Sequence, residues 1–176
     1  MKKVLKHVFS IVFSIVFCVI LIGCTSMPEP KNESQSLVVG IISIQAIHAL
    51  SNLGGVEITF RSIERSMDYV LRTSSDGLFF SNNLPNGSYE ITRIRYPNRA
   101  GGNRIITINN PRFLQIDSGK VYNLGHILYI GNNEGTSGRF SWNREYKEVY
   151  DLFQEKYHVS EWNRREWINF ELSTSN

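Results

Sequence analysis

Cysteine is nearly absent from this 176-residue chain: there are two, Cys18 and Cys24. Cys18 lies inside the apolar run Val8 to Ile22 and Cys24 stands just past its end, so a folded body downstream has no disulfide to lean on and must be stable through its core. An excess of charge of one sign is also missing. The formal charge of +3 comes from Lys2, Lys3 and Lys6, which precede any acid; the other sixteen basic residues are matched by sixteen acidic ones. A balanced chain without a clustered Lys/Arg run has no field for neutralising phosphates, which excludes nucleic acid as an expected partner. No apolar run reaches the length of about 20 residues that a spanning helix needs.

Catalytic and metal-binding signatures are lacking too. His48, His126 and His158 each stand alone in sequence, outside any His-Glu-x-x-His pattern. No Gly-x-Ser-x-Gly elbow exists, and the glycines of residues 131–138 have no phosphate-loop lysine after them. Glu57, Glu64, Asp68 and Asp76 are scattered acids suited to surface or turn roles. No nucleophile, base or ligand set with assignable roles can be assembled. The expectation is therefore a non-enzyme with no cofactor and no metal.

What the chain does have begins with its amino-terminal segment. Residues 1–7 are positively charged, and fifteen apolar residues follow, ending in Gly23-Cys24; this is the layout of a secretory signal peptide. Leu21-Ile22-Gly23-Cys24 resembles the lipobox of bacterial lipoproteins. The resemblance implies cleavage between Gly23 and Cys24, a lipid on the Cys24 sulfur, and tethering to a membrane rather than spanning it. Thr25, where an Asp would imply retention at the inner membrane, implies the outer membrane, with periplasmic and surface-facing positions both open. Residues 24–36 are polar and interrupted by Pro28 and Pro30, which reads as a flexible tether that lets the body stand off the bilayer.

From Leu37 short β-prone runs alternate with turn residues. Leu37 to Ile44 is nearly all apolar, as in a strand buried on both faces, whereas Val56 to Arg61 alternates apolar and polar. Met67–Thr73, Leu78–Ser81, Ser88–Tyr96, Arg104–Asn109, Arg112–Asp117 and Val121–Ile130 complete about seven or eight strands. Short turns join them and no crossover helix intervenes, which predicts an antiparallel β-sandwich and disfavours parallel pairing. The stretch Thr73-Ser74-Ser75-Asp76-Gly77-Leu78-Phe79-Phe80, then Asn83-Leu84-Pro85-Asn86-Gly87-Ser88-Tyr89, resembles the carboxypeptidase regulatory-like (prealbumin-like) β-sandwich over residues 37–130. Asp76, Gly77, Pro85, Gly87 and Tyr89 are its structural turn residues, Tyr89 being suited to bury its ring and hand its hydroxyl to an upstream backbone group.

Residues 131–142 read as a linker and 143–176 as a helical tail. Tyr146, Val149, Tyr150, Phe153 and Tyr157 share one helix face, with Ser141 or Asn143 as cap. Ser160 is placed to cap a second helical piece carrying Trp162, Trp167 and Ile168. Two functions remain open: an envelope lipoprotein that contacts a partner protein as scaffold or interaction module, or a glycan binder stacking sugars on Tyr96, Trp142, Trp162 and Trp167. Exposure of those rings discriminates the two.

Overall fold

The computed structural model describes residues 27–46, 49, 52–109, 111–132 and 138–170. The segment 1–23 and Cys24 lie outside them, as does His48. Among the described residues no helix is long and apolar enough to cross a membrane.

Among the described residues the architecture is mainly β, a sandwich of two sheets with one α-helix packed outside it. Eight strands fall where alternation of side chains places them: β1 (Leu37–Gln45), β2 (Glu57–Ser62), β3 (Asp68–Arg72), β4 (Leu78–Ser81), β5 (Gly87–Pro97), β6 (Asn103–Thr107), β7 (Phe113–Ile116) and β8 (Val121–Gly131). Two more, β9 (Gly138–Asn143) and β10 (Trp167–Asn169), occupy stretches that read as linker and as helix. One sheet has the order β10-β8-β1-β4 with β9 also on β8; the other has β3-β2-β5-β6 with β7 also on β5. The two eleven-residue strands, β5 and β8, are long enough for two partners in succession: β7 then β6 along β5, and β10 then β9 along β8.

The expected antiparallel β-sandwich is present, and two pairings within it run parallel. β1 runs parallel to β8 from Leu37↔Val121 to Gln45↔Ile130, and β10 runs parallel to β8. Parallel neighbours need a long crossover, which is usually a helix. Here β2, β3, β5, β6 and β7, a whole second sheet, make the crossing, so the absence of a helix between residues 45 and 121 did not forbid the parallel pair.

The apolar run in β1 is explained by the layers. Val38 and Ile42 point into the sandwich against Ile58, Phe60, Phe79 and Ile94, while Leu37, Val39 and Ile41 point the other way, onto Val149, Phe153 and Trp162. Both faces are covered from Leu37 to Ile42, so period-2 alternation leaves no polar position there. Helix α1 (Tyr146–Tyr157) supplies the outer cover, burying Val149 and Phe153, whereas Tyr150 of the expected face is 40% exposed and meets Trp167 edge-on. The helix is not capped by Ser141 or Asn143. Both belong to β9, where pairing with β8 occupies their backbones, and Glu145 takes the N-cap position without a side-chain cap bond. Ser160 does cap a 3₁₀ turn (Glu161–Arg164), its hydroxyl accepting from the Trp162 N–H.

Residues 27–36, expected to be part of a flexible tether, form a strap on the body. Met27 is 4% exposed, packed with Trp162 and Phe153, and Ser36 is buried as well. The Pro28 carbonyl accepts from Trp162 Nε1 at 3.0 Å, and the Glu29 carboxylate accepts from Ser160 Oγ and the Glu161 N–H at 3.1 and 2.9 Å. Arg165 donates to the carbonyls of Asn32, Glu33, Gln35 and Gly119 and lies over the Trp162 ring. A five-donor guanidinium is suited to gather several carbonyls at once. Polarity in residues 27–36 thus marks hydrogen bonding to the body rather than freedom from it.

Candidate functional site

The turn residues near β4 and β5 are structural throughout. Asp76 accepts from Ser74 Oγ at 2.5 Å and from the Leu78 N–H at 3.3 Å, and it pairs with Lys156 from α1. Burial raises its carboxyl pKa, but the hydrogen bonds from Lys156, Ser74 and Leu78 outweigh that and hold the carboxyl below the usual range. Gly77 turns with φ +85° against the backbone of β1. Pro85 and Gly87 frame the next turn, and Tyr89, wholly buried, donates its hydroxyl to the Pro85 carbonyl at 2.6 Å.

Tyr89 makes the fold sensitive to alkali. Burial, with like-signed contributions from Tyr69 and Glu64, pushes its phenol up to about 12 from the ordinary 10.0. Below pH 10 the ring keeps its proton in both folded and unfolded chains, so it contributes no pH dependence there. Between about pH 10 and 12 the unfolded chain releases the proton and the folded one does not, which removes roughly 2–3 kcal/mol of stability at about 1.4 kcal/mol per pH unit. Tyr122, Tyr129 and Tyr157 are pushed the same way by burial and steepen the loss. Tyr89→Phe is expected to cost about 1 kcal/mol at pH 8, from the orphaned Pro85 carbonyl, yet to lose less stability than the parent between pH 10 and 12. Urea unfolding across that range checks it; an unchanged alkaline slope would refute the assignment.

The four aromatic residues proposed as a sugar platform do not form one. Tyr96 and Trp162 are 2% and 0% exposed, and Trp142 and Trp167 are half-buried against the two cores. Tyr96 packs on Tyr129, while Trp167 packs on Phe153 and Tyr150. Their size served core packing, as rings at regular spacing usually do.

One cluster of titratable side chains that the sequence keeps apart is brought together beside the start of α1. His126 Nδ1 lies 3.0 Å from Glu145 Oε2 and 3.2 Å from Glu148 Oε2, and its Nε2 lies 2.8 Å from Ser43 Oγ on β1. A bulge aims the ring. Gly125, at φ +70°, inserts one residue into β8, and the register on β1 slips between Val39 and Ile41. As a result Tyr122 and Leu124 face the sandwich before the bulge and Ile127 and Tyr129 after it, which turns His126 toward the helix. Buried Asn123 braces the arrangement, accepting from the Gly125 N–H at 3.0 Å and donating to the Tyr146 carbonyl at 2.8 Å.

No protein-family model matches the chain, and no curated protein matches it. Solved structures give partial likenesses. A leucine-rich repeat protein from Bacteroides thetaiotaomicron aligns with TM-score 0.38 and 12% identity over 57% of this chain and 14% of that one. A DUF3823 family protein from Parabacteroides merdae aligns with TM-score 0.32 and 19% identity over 53% of this chain and 45% of that one. A 9R-lipoxygenase from Cyanothece aligns with TM-score 0.27 and 12% identity over 73% of this chain and 24% of that one. The chain thus spans well under two thirds of each, and at TM-scores this low the likenesses carry no argument about what it does.

The His126 cluster is read on its own geometry. Among the described residues, one imidazole nitrogen and two carboxylate oxygens, all within 4.8 Å of one another, form a group that could hold a metal ion. Both glutamates are about half exposed. In the structure the ring is a bracket that ties the first turn of α1, through Glu145 and Glu148, to β1 through Ser43. The meeting of Glu145 and Glu148 with His126 depends on the β8–β9 hairpin, in a stretch whose composition reads as a linker. His158 is exposed just beyond the carboxyl end of α1 and joins no such group.

Proposed function

We propose that the protein is a lipoprotein of a bacterial cell envelope, anchored through a lipid on Cys24, probing its surroundings as a non-catalytic scaffold or protein-interaction module, with the outer membrane as its location. The observation that carries this reading is the strap. A chain held by its amino-terminal end transmits any pull to whatever that end is fastened to. Here it is fastened to the helix-side core through Met27 and to the 3₁₀ turn through Pro28 and Glu29. The signal-like segment and Leu21-Ile22-Gly23-Cys24 support the anchor itself.

The outer face of the second sheet supports a contact role. Cross-strand ion pairs fix it: Glu57 bridges Arg72 and Arg95, each at 3.1 Å, and Asp68 takes Arg61 at 2.9 Å. The hydrogen bond from Arg61 is the main cause holding the Asp68 carboxyl below its usual range. Between these charges Val70, Ile105 and Phe113 stand 52%, 61% and 43% exposed. Held charges beside accessible apolar groups suit recognition of a partner surface, since little side-chain freedom remains to be lost.

Crosslinking and co-purification from membranes test the reading, with Cys24→Ala and separate alanine substitutions of His126, His158 and Asp76 beside the parent. A defined protein partner that is lost with Cys24→Ala and kept by the other three is the expected result. Loss of the partner on replacing one of those three in a folded, lipidated protein would instead indicate a direct role for that side chain.

A further inference from the structure

The strap sets the distance between body and membrane. Cys24 and Met27 are separated by three peptide steps, and a fully extended chain covers at most roughly 11 Å in that span. From Met27 onward nothing is left to pay out. Met27 is buried, Pro28 and Glu29 are bonded to Trp162, Ser160 and Glu161, and Arg165 holds the backbone from Asn32 to Gln35. A lipid on Cys24 places that residue at the bilayer interface, and the dozen residues that looked like a spacer cannot lengthen the connection.

The geometry points to a specific membrane-facing surface: the end of the sandwich built from the strap, the turn at Leu84 to Gly87 and the turn at Ser118 and Gly119 docks on the lipid headgroup layer. This rests on the anchored reading given above and adds which end of the body meets the bilayer. The two turns and the strap are one surface, because Asn86 Nδ2 donates to Ser118 Oγ at 2.5 Å and the Gly119 N–H donates to the Ser34 carbonyl at 3.2 Å. The opposite end is equally defined. β5 runs from Gly87 to Pro97, eleven residues or about 33 Å at the rise of an extended strand, and its far end carries the turn around Arg99.

The charge of the docking end decides the kind of lipid. Glu29, Glu33, Glu161 and Glu166 meet Lys31, Lys120, Arg164 and Arg165 there, with Arg164 paired to Glu161 at 2.8 Å and Lys120 to Glu166 at 3.9 Å, and Asp117 and Glu64 add acid beside the two turns. A surface with no marked excess of positive charge draws nothing from the field of anionic lipid. Chain length holds the body down, so zwitterionic headgroups suffice.

The test uses the full, processed protein in phosphatidylcholine vesicles that contain a headgroup-attached quencher, with a fluorophore placed through Asn86→Cys or through Arg99→Cys. Quenching several-fold stronger at position 86 than at position 99, unchanged by salt, is expected. A flexible Gly/Ser insert of roughly a dozen residues between Ser26 and Met27 should bring position 86 down to the level of position 99. Intact mass of the same sample separates the two ways of failing. Acyl mass on Cys24 with equal quenching at both positions, or with no effect of the insert, overturns the docking alone; absence of acyl mass overturns the anchor and the docking with it.

Discussion

Replacing Trp162 by alanine is expected to lower the unfolding free energy by about 3–5 kcal/mol, the range for deleting a large buried aromatic side chain, and to release the strap. Trp162 is 0% exposed and sits where three parts of the chain converge: Met27 from the amino-terminal segment, Leu37 and Val39 from β1, and Val149 and Phe153 from α1. Its indole N–H also satisfies the Pro28 carbonyl, and its ring lies under the Arg165 guanidinium that holds the carbonyls of Asn32, Glu33 and Gln35. Removing the ring therefore opens a cavity and unseats the group that fixes the strap. Against a total of about 5–15 kcal/mol for an ordinary domain, that is a large fraction. Trp162→Phe keeps most of the volume and loses the N–H, so it should cost much less. Denaturant unfolding gives the energies, and limited proteolysis gives the release: cleavage within 27–36 under native conditions for the alanine variant, protection for the parent. Equal losses in the two variants, or a strap that stays protected in both, would show that Trp162 is not the fastening point.

How much of this was visible in the residues themselves depends on the range of the interaction. The eight strands from Leu37 to Gly131 are legible because alternation is a local property, and the unbroken apolar run of β1 carries its two-sided burial openly. The helix face is legible for the same reason, apart from Tyr150. β9 follows a glycine-rich stretch that masks it, although Phe140 and Trp142 alternate and both half-bury against the core. β10, three residues long, is too short to show any period and exists through its parallel register with Val121 to Asn123. The strap and the His126 bracket were illegible for a different reason. Each joins residues far apart in sequence, Pro28 with Trp162 and Ser43 with His126, and each uses polar groups whose ordinary reading is solvent exposure. A polar residue's partner is set by the tertiary fold, so composition alone reads it as free.

Gly77→Ala is expected to be as damaging as the loss of the tryptophan, about 3–5 kcal/mol, although it adds a single methyl group to a turn. Two separate penalties combine. The residue has φ +85°, a conformation that strains any side-chain-bearing residue by roughly 1–3 kcal/mol. A Cβ there would also stand 2.2 Å from the Ile42 carbonyl oxygen and 2.9 Å from Leu53 Cδ1. The first of these is backbone of the central strand and cannot swing aside. The turn cannot retreat either, because the Gly77 carbonyl accepts from the Ile42 N–H at 3.0 Å, and the neighbouring Asp76 is held by Ser74, Leu78 and Lys156. Overpacking against such a fixed neighbour adds about 1–3 kcal/mol. Gly55 separates the two penalties. It has almost the same φ, +84°, with nothing within 4 Å of a built Cβ, so Gly55→Ala carries the conformational strain alone and should cost about 1–3 kcal/mol. Paired urea melts of the two variants read the difference directly. If both lose the same amount, close approach to β1 contributes nothing and the tight seating of this turn on the central strand is wrong.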